Sequence, residues 1–253
     1  MHSILAYLSR RRRGEQSHEQ RLGFLQHITE TSHSSVVQHA HRPPSRCSIQ
    51  GGAASGTHSG FSRTFQPGKL TLGVIAPLEG YPNSASPTLK DHEHPARAID
   101  EAGFATIWLR DVLFYDPSFG DAGQMLDPFV YLGFLAAVTR NIALGTAGIV
   151  APLRDSMHLA KQVASADVLT NGRLLLGLAS GDRPAEYPAL NIDFDSRASR
   201  YQEAFEVVRC LTETDFPRIA TQHSGRLDGG LNLLPRASGS RHVMDCDDRH
   251  EFR

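Results

Sequence analysis

The 253-residue chain has no run of eighteen apolar residues, so no segment is built to cross a bilayer as a helix. It carries almost no net charge, −1 with histidines neutral, and this excludes the global field that draws a protein to nucleic acid or an anionic membrane. Cysteine is scarce. Cys47, Cys210 and Cys246 are too few and too scattered for a disulfide framework or a zinc site, so no metal is expected and a reducing, cytoplasmic setting is the default. Residues 1 to 60 lack lysine, yet they hold seven of the thirteen histidines and the block Arg10 to Arg13, followed by Ser, Gly and Pro. Such a segment cannot bury enough apolar surface to offset its ordering entropy. Its histidines have no i,i+4 pairing on a periodic helix, and Glu15, Glu19 and Glu30 argue against an acidic-poor transit peptide. A disordered leader over 1–60 is the expectation.

The remainder is patterned. Ile142 to Val150 and Arg173 to Ser180 are runs of apolar and small residues, as in parallel strands covered on both faces. Between them Ser156 can cap a helix whose buried face carries Met157, Ala160, Val163, Ala164 and Val168. Asn171-Gly172 supplies the left-handed conformation that ends it. The three pieces form a βαβ unit, a connection that is right-handed in nearly all proteins. Upstream, Leu70 to Pro77 reads as a first strand and Thr106 to Asp111 as a second. A helix is expected between them over about Thr88 to Ala102, closed by Gly103, but Pro95 falls inside it. An interior proline costs about 3 kcal/mol, so this helix is kinked or starts near Pro95. Asp127-Pro128 is an N-cap followed by proline at the first helical position, with Phe129, Leu132, Leu135, Ala136 and Val138 facing the sheet. Ser196 to Leu211 reads as a capped amphipathic helix with Tyr201, Ala204, Phe205, Val208 and Leu211 on one stripe. No strand-like run is visible after Leu234, which leaves four strands.

Within this pattern the string AKQ-x4-D-x2-TNGRL-x-LG-x2-SG, from Ala160 to Gly181 and followed by Glu186-Tyr187, resembles the bacterial luciferase-like monooxygenases, flavin-dependent (β/α)8 barrels. FQPGKLTLGV and IWLRDVLFYDPSFGDAGQMLDPFVYLGFLAAVTRNIALGT are similar to one oxidoreductase branch of that family. The resemblance spans Phe61 to Ala237. It implies an α/β fold, an incomplete (β/α)8 TIM barrel of about four βα units over 61–237, with a disordered N-terminal leader over 1–60 and a C-terminal tail, 238–253, unlike the family. A truncated or frame-shifted reading is the expected origin of that tail. The implied activity is oxidation of a small organic substrate by reduced FMN and oxygen, with a deazaflavin as the alternative cofactor. The rival is a cofactor-free fragment, inert or an interaction partner of a full-length homologue. The inward residues of the four strands are expected to be mostly large and apolar, so association through open sheet edges is a further expectation.

Active sites of βα barrels lie at the C-terminal ends of the strands, which selects Glu79, Asp111, Thr146 to Gly148, and Ala179 to Arg183. The family resemblance implies a backbone irregularity, often a non-proline cis peptide, at Thr146-Ala147-Gly148 under the flavin ring. Small residues there either let an isoalloxazine approach the backbone or merely accommodate barrel packing. Ala179, Ser180 and Gly181 are implied contacts of the flavin edge, with Ser180 a hydrogen-bond donor to the ring. Asp111 is the candidate catalytic carboxylate. Val112 stands where the family often has a histidine, which argues against light-emitting aldehyde chemistry. The bland reading has Asp111 pairing with Arg110 or capping a loop. Asp182 and Arg183 read as a solvated pair, His158 as a surface residue, and Met157, Trp108 and Phe129 as core. Hydrogen exchange tests the leader. Amides between Ser32 and Ser59 should exchange freely, and protection matching that of Leu174 to Gly177 would refute the expectation.

Overall fold

The computed structural model describes residues 58–78, 87–119, 125–237 and 243–245. Glu79 and the expected leader up to residue 57 lie outside them. The chain divides into two compact units, Met1–Pro43 and Pro44–Arg253, and every described residue belongs to the second. The elements run α1 (Ser59–Thr64), β1 (Gly73–Ile75), α2 (Glu93–Glu101), β2 (Thr106–Leu109), α3 (Pro128–Val138), β3 (Ala143–Thr146) and β4 (Ile149–Val150). They continue with α4 (Ser156–Leu169), β5 (Leu174–Ala179), α5 (Glu186–Ala189), α6 (Arg197–Glu213), the hairpin β6 (Arg218–Ala220) and β7 (Arg226–Asp228), and β8 (Val243–Asp245). No described helix is long and apolar enough to cross a membrane.

Strands β1, β2, β3 and β5 pair in that order, all parallel, and β4 continues the line of β3 along β5. On the opposite flank of β5, Val243, Met244 and Asp245 of β8 pair in parallel with Leu176, Gly177 and Leu178. The sheet is therefore an open, five-stranded parallel arc, an incomplete (β/α) barrel, and the expectation of four strands is corrected to five. Three residues inside a polar stretch carry no legible strand signal. Their pairing follows from the free edge of β5 rather than from local pattern.

Helices α2, α3, α4 and α6 form where the sequence places them, with local corrections, whereas α1 and α5 were not expected and α1 starts at Ser59, inside the segment expected as a disordered leader. Pro95 is the third residue of α2, within the first turn whose N–H groups have no intrahelical acceptor, so the helix is short and starts just before the proline. Asp127 caps α3 by accepting from the N–H groups of Phe129 and Val130. Helix α4 is capped by Asp155, which accepts from His158 N at 2.8 Å, and Ser156 is its first residue rather than its cap. Val168 is exposed, and Leu159 and Ala166 are buried instead, because the stripe facing the core is rotated toward them. Ser196 precedes α6 without capping it, since its hydroxyl donates to the Asp193 carbonyl at 2.6 Å. On α6 Val207 and Cys210 join the buried stripe, and Cys210 is disulfide-bonded, which the scatter of three cysteines did not suggest.

Val74, Ile107, Leu144, Leu174 and Leu176 on the convex face pack against Leu132, Leu135, Leu159, Val163, Val207 and Leu211 of the helices. By register the concave face carries Ile75, Trp108, Gly145 and Leu175 in one row and Gly73, Thr106 and Ala143 in another. These are mostly small, so the expectation of a large apolar inner face is corrected. The cause is Trp108, an inner-face residue and not a core one. A Cβ on Gly73 would lie 2.7 Å from its Nε1 and one on Gly145 only 2.4 Å from its Cε3, so the indole lies flat across both neighbouring strands. Helix α1 closes the N-terminal end of this face: Ser59 Oγ donates to the Gly172 carbonyl at 2.6 Å and the hydroxyls of Thr64 and Thr106 meet at 2.6 Å. Below β3, Asp100 accepts from the N–H groups of Arg140, Asn141 and Ile142, fixing where that strand starts. Two glycines give opposite expectations. Gly145→Ala should lower stability by about 1–3 kcal/mol through overpacking against Trp108. Gly133→Ala on α3, where an added Cβ meets nothing within 4 Å, should raise it by up to about 1 kcal/mol; urea midpoints measure both.

Candidate active site

The third strand carries one residue too many. Gly145 pairs with Leu175 and Ile149 with Leu178, so Thr146, Ala147 and Gly148 stand opposite only Leu176 and Gly177. That is a β-bulge, which bends the strand and re-aims its side chains. Thr146 holds it: its buried hydroxyl donates to the Gly177 carbonyl at 2.9 Å and accepts from Gly177 N at 2.8 Å, restoring the pairing the bulge interrupts. Ala147 N donates to the Leu109 carbonyl at 2.7 Å, while the Ala147 side chain is exposed at the crest. Gly148 has φ +94°, and a Cβ there would come within 2.9 Å of Ala179 Cβ. The expected irregularity is thus present as a bulge with a left-handed glycine. Among the described residues the cis peptides are elsewhere, at Ala76-Pro77 and Leu234-Pro235.

Beside the bulge the end of β5 is equally bare. Ala179 and Ser180 are half-buried, and Gly181 has φ +80° with Val150 Cγ1 2.6 Å from where its Cβ would stand. Tyr187, fully buried on α5, donates its hydroxyl to the Ser180 carbonyl and fixes the turn. The candidate cofactor residues Thr146, Ala147, Gly148, Ala179, Ser180 and Gly181 are therefore brought together on two adjacent strand ends. Thr146 contributes as the bulge's bracket, with its hydroxyl turned to Gly177 rather than to the open face.

A charged girdle surrounds this patch. Asp111 accepts from Val150 N at 2.9 Å and from Arg154, whose Nη2 lies 2.8 Å from Oδ1 and whose Nε lies 3.2 Å from Oδ2. It both pairs and caps, as the bland reading had it, but its partner is Arg154 and not Arg110. Arg154 also reaches Asp127 at 3.2 Å and sits over the ring of Phe129. Burial works to lower the Arg154 pKa, but the hydrogen bond and charge of Asp111, then Asp127, outweigh it and raise the value above the ordinary one. Asp182 is exposed as expected. Arg183 is not: it is buried, with its guanidinium 4.1 Å from the Phe119 ring centroid. His158 is a surface residue paired with Asp155. Among the described residues no cluster of three or more His, Cys, Asp or Glu could hold a metal.

Sequence reasoning missed Glu186 as a chemical group, although it closes the family string. It is 5% exposed, and its Oε1 accepts from Phe114 N at 3.4 Å across the mouth of the sheet. Burial raises its pKa; the Phe114 N–H and the charge of Arg183 pull the other way, and the charge of Asp111 adds to the rise. Leu113, Phe114, Tyr115 and Phe119 on the same loop expose apolar surface beside it.

The family model for luciferase-like monooxygenases matches residues 70–242. The crystal structure of a monooxygenase from Streptomyces bottropensis superposes with a TM-score of 0.58 at 26% identity, over 70% of this chain and 52% of that one. An F420-dependent hydroxymycolic acid dehydrogenase of Mycobacterium tuberculosis is 29% identical over 63% of this chain and 43% of its own length. The oxygenase component of a flavin-dependent trigonelline monooxygenase from Acinetobacter baylyi is 32% identical over 39% of this chain and 27% of its own. The chain thus spans about half or less of the length of these relatives.

Glu186 generates a pH prediction. Its folded-state pKa lies above the ordinary 4.5, so the folded chain holds this proton more tightly than the unfolded one. The associated stability is present below 4.5 and is lost as pH rises through the raised value. Glu186→Gln should remove that loss, so urea midpoints of wild type and variant should diverge as pH rises from about 4 to about 7, with the variant gaining.

Proposed function

The chain belongs to the luciferase-like monooxygenase family, whose members here include flavin- and F420-dependent oxidoreductases, and we propose that it orients a flavin on the bulge for oxidation of a small organic substrate. Reduced FMN with oxygen is the preferred pairing, and a deazaflavin is the alternative. The observation that carries the reading is the bare ledge formed by Ala147 and Gly148 on one strand end and by Ala179, Ser180 and Gly181 on the next. Even a methyl is excluded at Gly148 and Gly181, where it would meet Ala179 Cβ at 2.9 Å and Val150 Cγ1 at 2.6 Å, so both positions stay bare backbone against which a planar tricyclic ring would lie. The cofactor, when bound, supplies the electron transfer.

The protein's part is placement and shielding. Ala147 at the crest would bear on the ring face, and Ser180 offers a hydroxyl at the edge. Asp111 acts in this reading as a positioning residue, because both its oxygens are engaged by Arg154 and Val150 and so hold the strand end that follows the bulge. Glu186 is a buried carboxyl able to hold or release a proton beside the ledge, and the exposed aromatics of the 113–119 loop offer an apolar surface for an organic substrate.

A second reading is favoured by the open five-stranded sheet among the described residues: a cofactor-free chain, inert or acting as the interaction partner of a full-length homologue. Phosphate sites of such barrels are usually built by the loops after strands seven and eight, which are not among the described strands, so the described ring contacts by themselves should give weak FMN affinity. Quenching of FMN fluorescence decides between them. Saturable quenching that Ala147→Leu weakens about tenfold or more, with unchanged melting temperature, is the expected result. Absence of any saturable quenching, with FMN and with F420, would favour the second reading.

A further inference from the structure

A cavity of about 300 Å3 is bounded by the turn that follows β4, by the loop after α5, by Arg200 of α6, and by His223 and Ser224 at the tip of the β6–β7 hairpin. That is room enough for a small ligand. The charged groups around it are engaged, with one exception. Arg154 is bound to Asp111 and Asp127. Asp155, which also lines the cavity, has its Oδ1 committed to His158 N at 2.8 Å and His158 Nδ1 at 2.9 Å. Glu203, three residues beyond Arg200 on α6, accepts instead from His223 N at 2.9 Å and from Ser224 Oγ at 3.1 Å. The hairpin tip thus withdraws the carboxylate that could have neutralised Arg200. Arg200 itself is half-buried, its Nε donates to Ser196 Oγ at 3.1 Å, and among the described residues no carboxylate meets its two Nη groups. His223, on the same cavity, has its Nε2 buried without a hydrogen-bond partner. The hydroxyls of Ser156 and Ser224, 2.9 Å apart, add to the polar wall. A guanidinium taken partly out of water without a counter-charge is costly, and an anion in the cavity would offset that cost.

We propose that this cavity binds a small phosphate monoester, with the Arg200 guanidinium and the His223 imidazole as its donors. Arginine presents a planar fork of N–H groups that meets two oxygens of a phosphate at once. His223, protonated at Nε2, donates to a third oxygen. Donors that come from two separate elements, a helix and a hairpin tip, suit the three oxygens of a tetrahedral phosphate better than the two of a planar carboxylate. No residue of the ledge at Ala147, Gly148 and Ala179 to Gly181 lines the cavity, so the site is separate and does not depend on flavin binding there.

The test is calorimetric titration of the full chain, without flavin and at fixed ionic strength, with glycerol 3-phosphate as the probe and glycerol and acetate as controls. The expected result is saturable binding of glycerol 3-phosphate and no saturable binding of either control. Arg200→Gln should weaken the phosphate ester about tenfold or more, and His223→Gln about threefold to tenfold. Arg226→Gln removes the same charge from an exposed position on β7 and should change the affinity less than about twofold. Should Arg200→Gln fail to fold, the wild-type comparison of the three probes and the Arg226→Gln variant still decide. No saturable binding, acetate binding as tight as the ester, or equal losses in the two arginine variants overturns the proposal. Saturating glycerol 3-phosphate should also leave FMN quenching unchanged; competition between them would identify the phosphate as the flavin's own and overturn the separate site, while absence of FMN quenching leaves the calorimetric result standing by itself.

Discussion

One inserted residue in the third strand is the constraint on which the site depends. A regular strand from Ala143 to Val150 would alternate its side chains between helices and concave face to the end. With three residues set against two, the alternation is reset: Thr146 turns inward to Gly177, Ala147 rises at the crest, and Gly148 takes a φ of +94°. The ladder bond lost at the bulge is replaced by the Thr146 hydroxyl, which both donates and accepts. What results is a stretch of backbone without obstructing side chains, at the edge where βα barrels do their chemistry.

The charged girdle follows from that geometry. Once β4 is displaced, Val150 N has to find an acceptor, and Asp111 from the neighbouring strand end supplies it. Arg154 then joins Asp111 to Asp127, the cap of α3, so the bulge, the second strand and the third helix share one ionic network. Glu186 stands across from it, tied to the loop that follows β2 through Phe114 N. A buried carboxyl with a raised pKa next to a network that already contains Asp111 has the environment in which proton-handling groups are found.

The concave face has its own logic. Trp108 is the chain's single tryptophan, and its indole covers the strands on both sides, which is why glycine stands at 73 and 145. An aromatic ring spanning three strands does the work that several branched side chains would otherwise share. The inner face is accordingly less apolar than the strand compositions suggested, and the large aliphatic residues are on the helix side.

The sequence by itself determined the order of β1, α2, β2, α3, β3, α4, β5 and α6, the βαβ unit around α4, the N-cap at Asp127, the short helix at Pro95 and the family. All of these depend on local signals: apolar runs, capping residues, proline and glycine. It also located the irregularity at 146–148, through resemblance. Tertiary structure alone decided the rest. The pairing of Val243–Asp245 depends on an open edge of β5, the partner of Asp111 lies 43 residues away, and Glu186 becomes buried only when the loop after β2 folds over it. Periodicity and caps are written into neighbouring residues, whereas the groups that meet at a site come from separate strand ends, and only folding sets the distances between them.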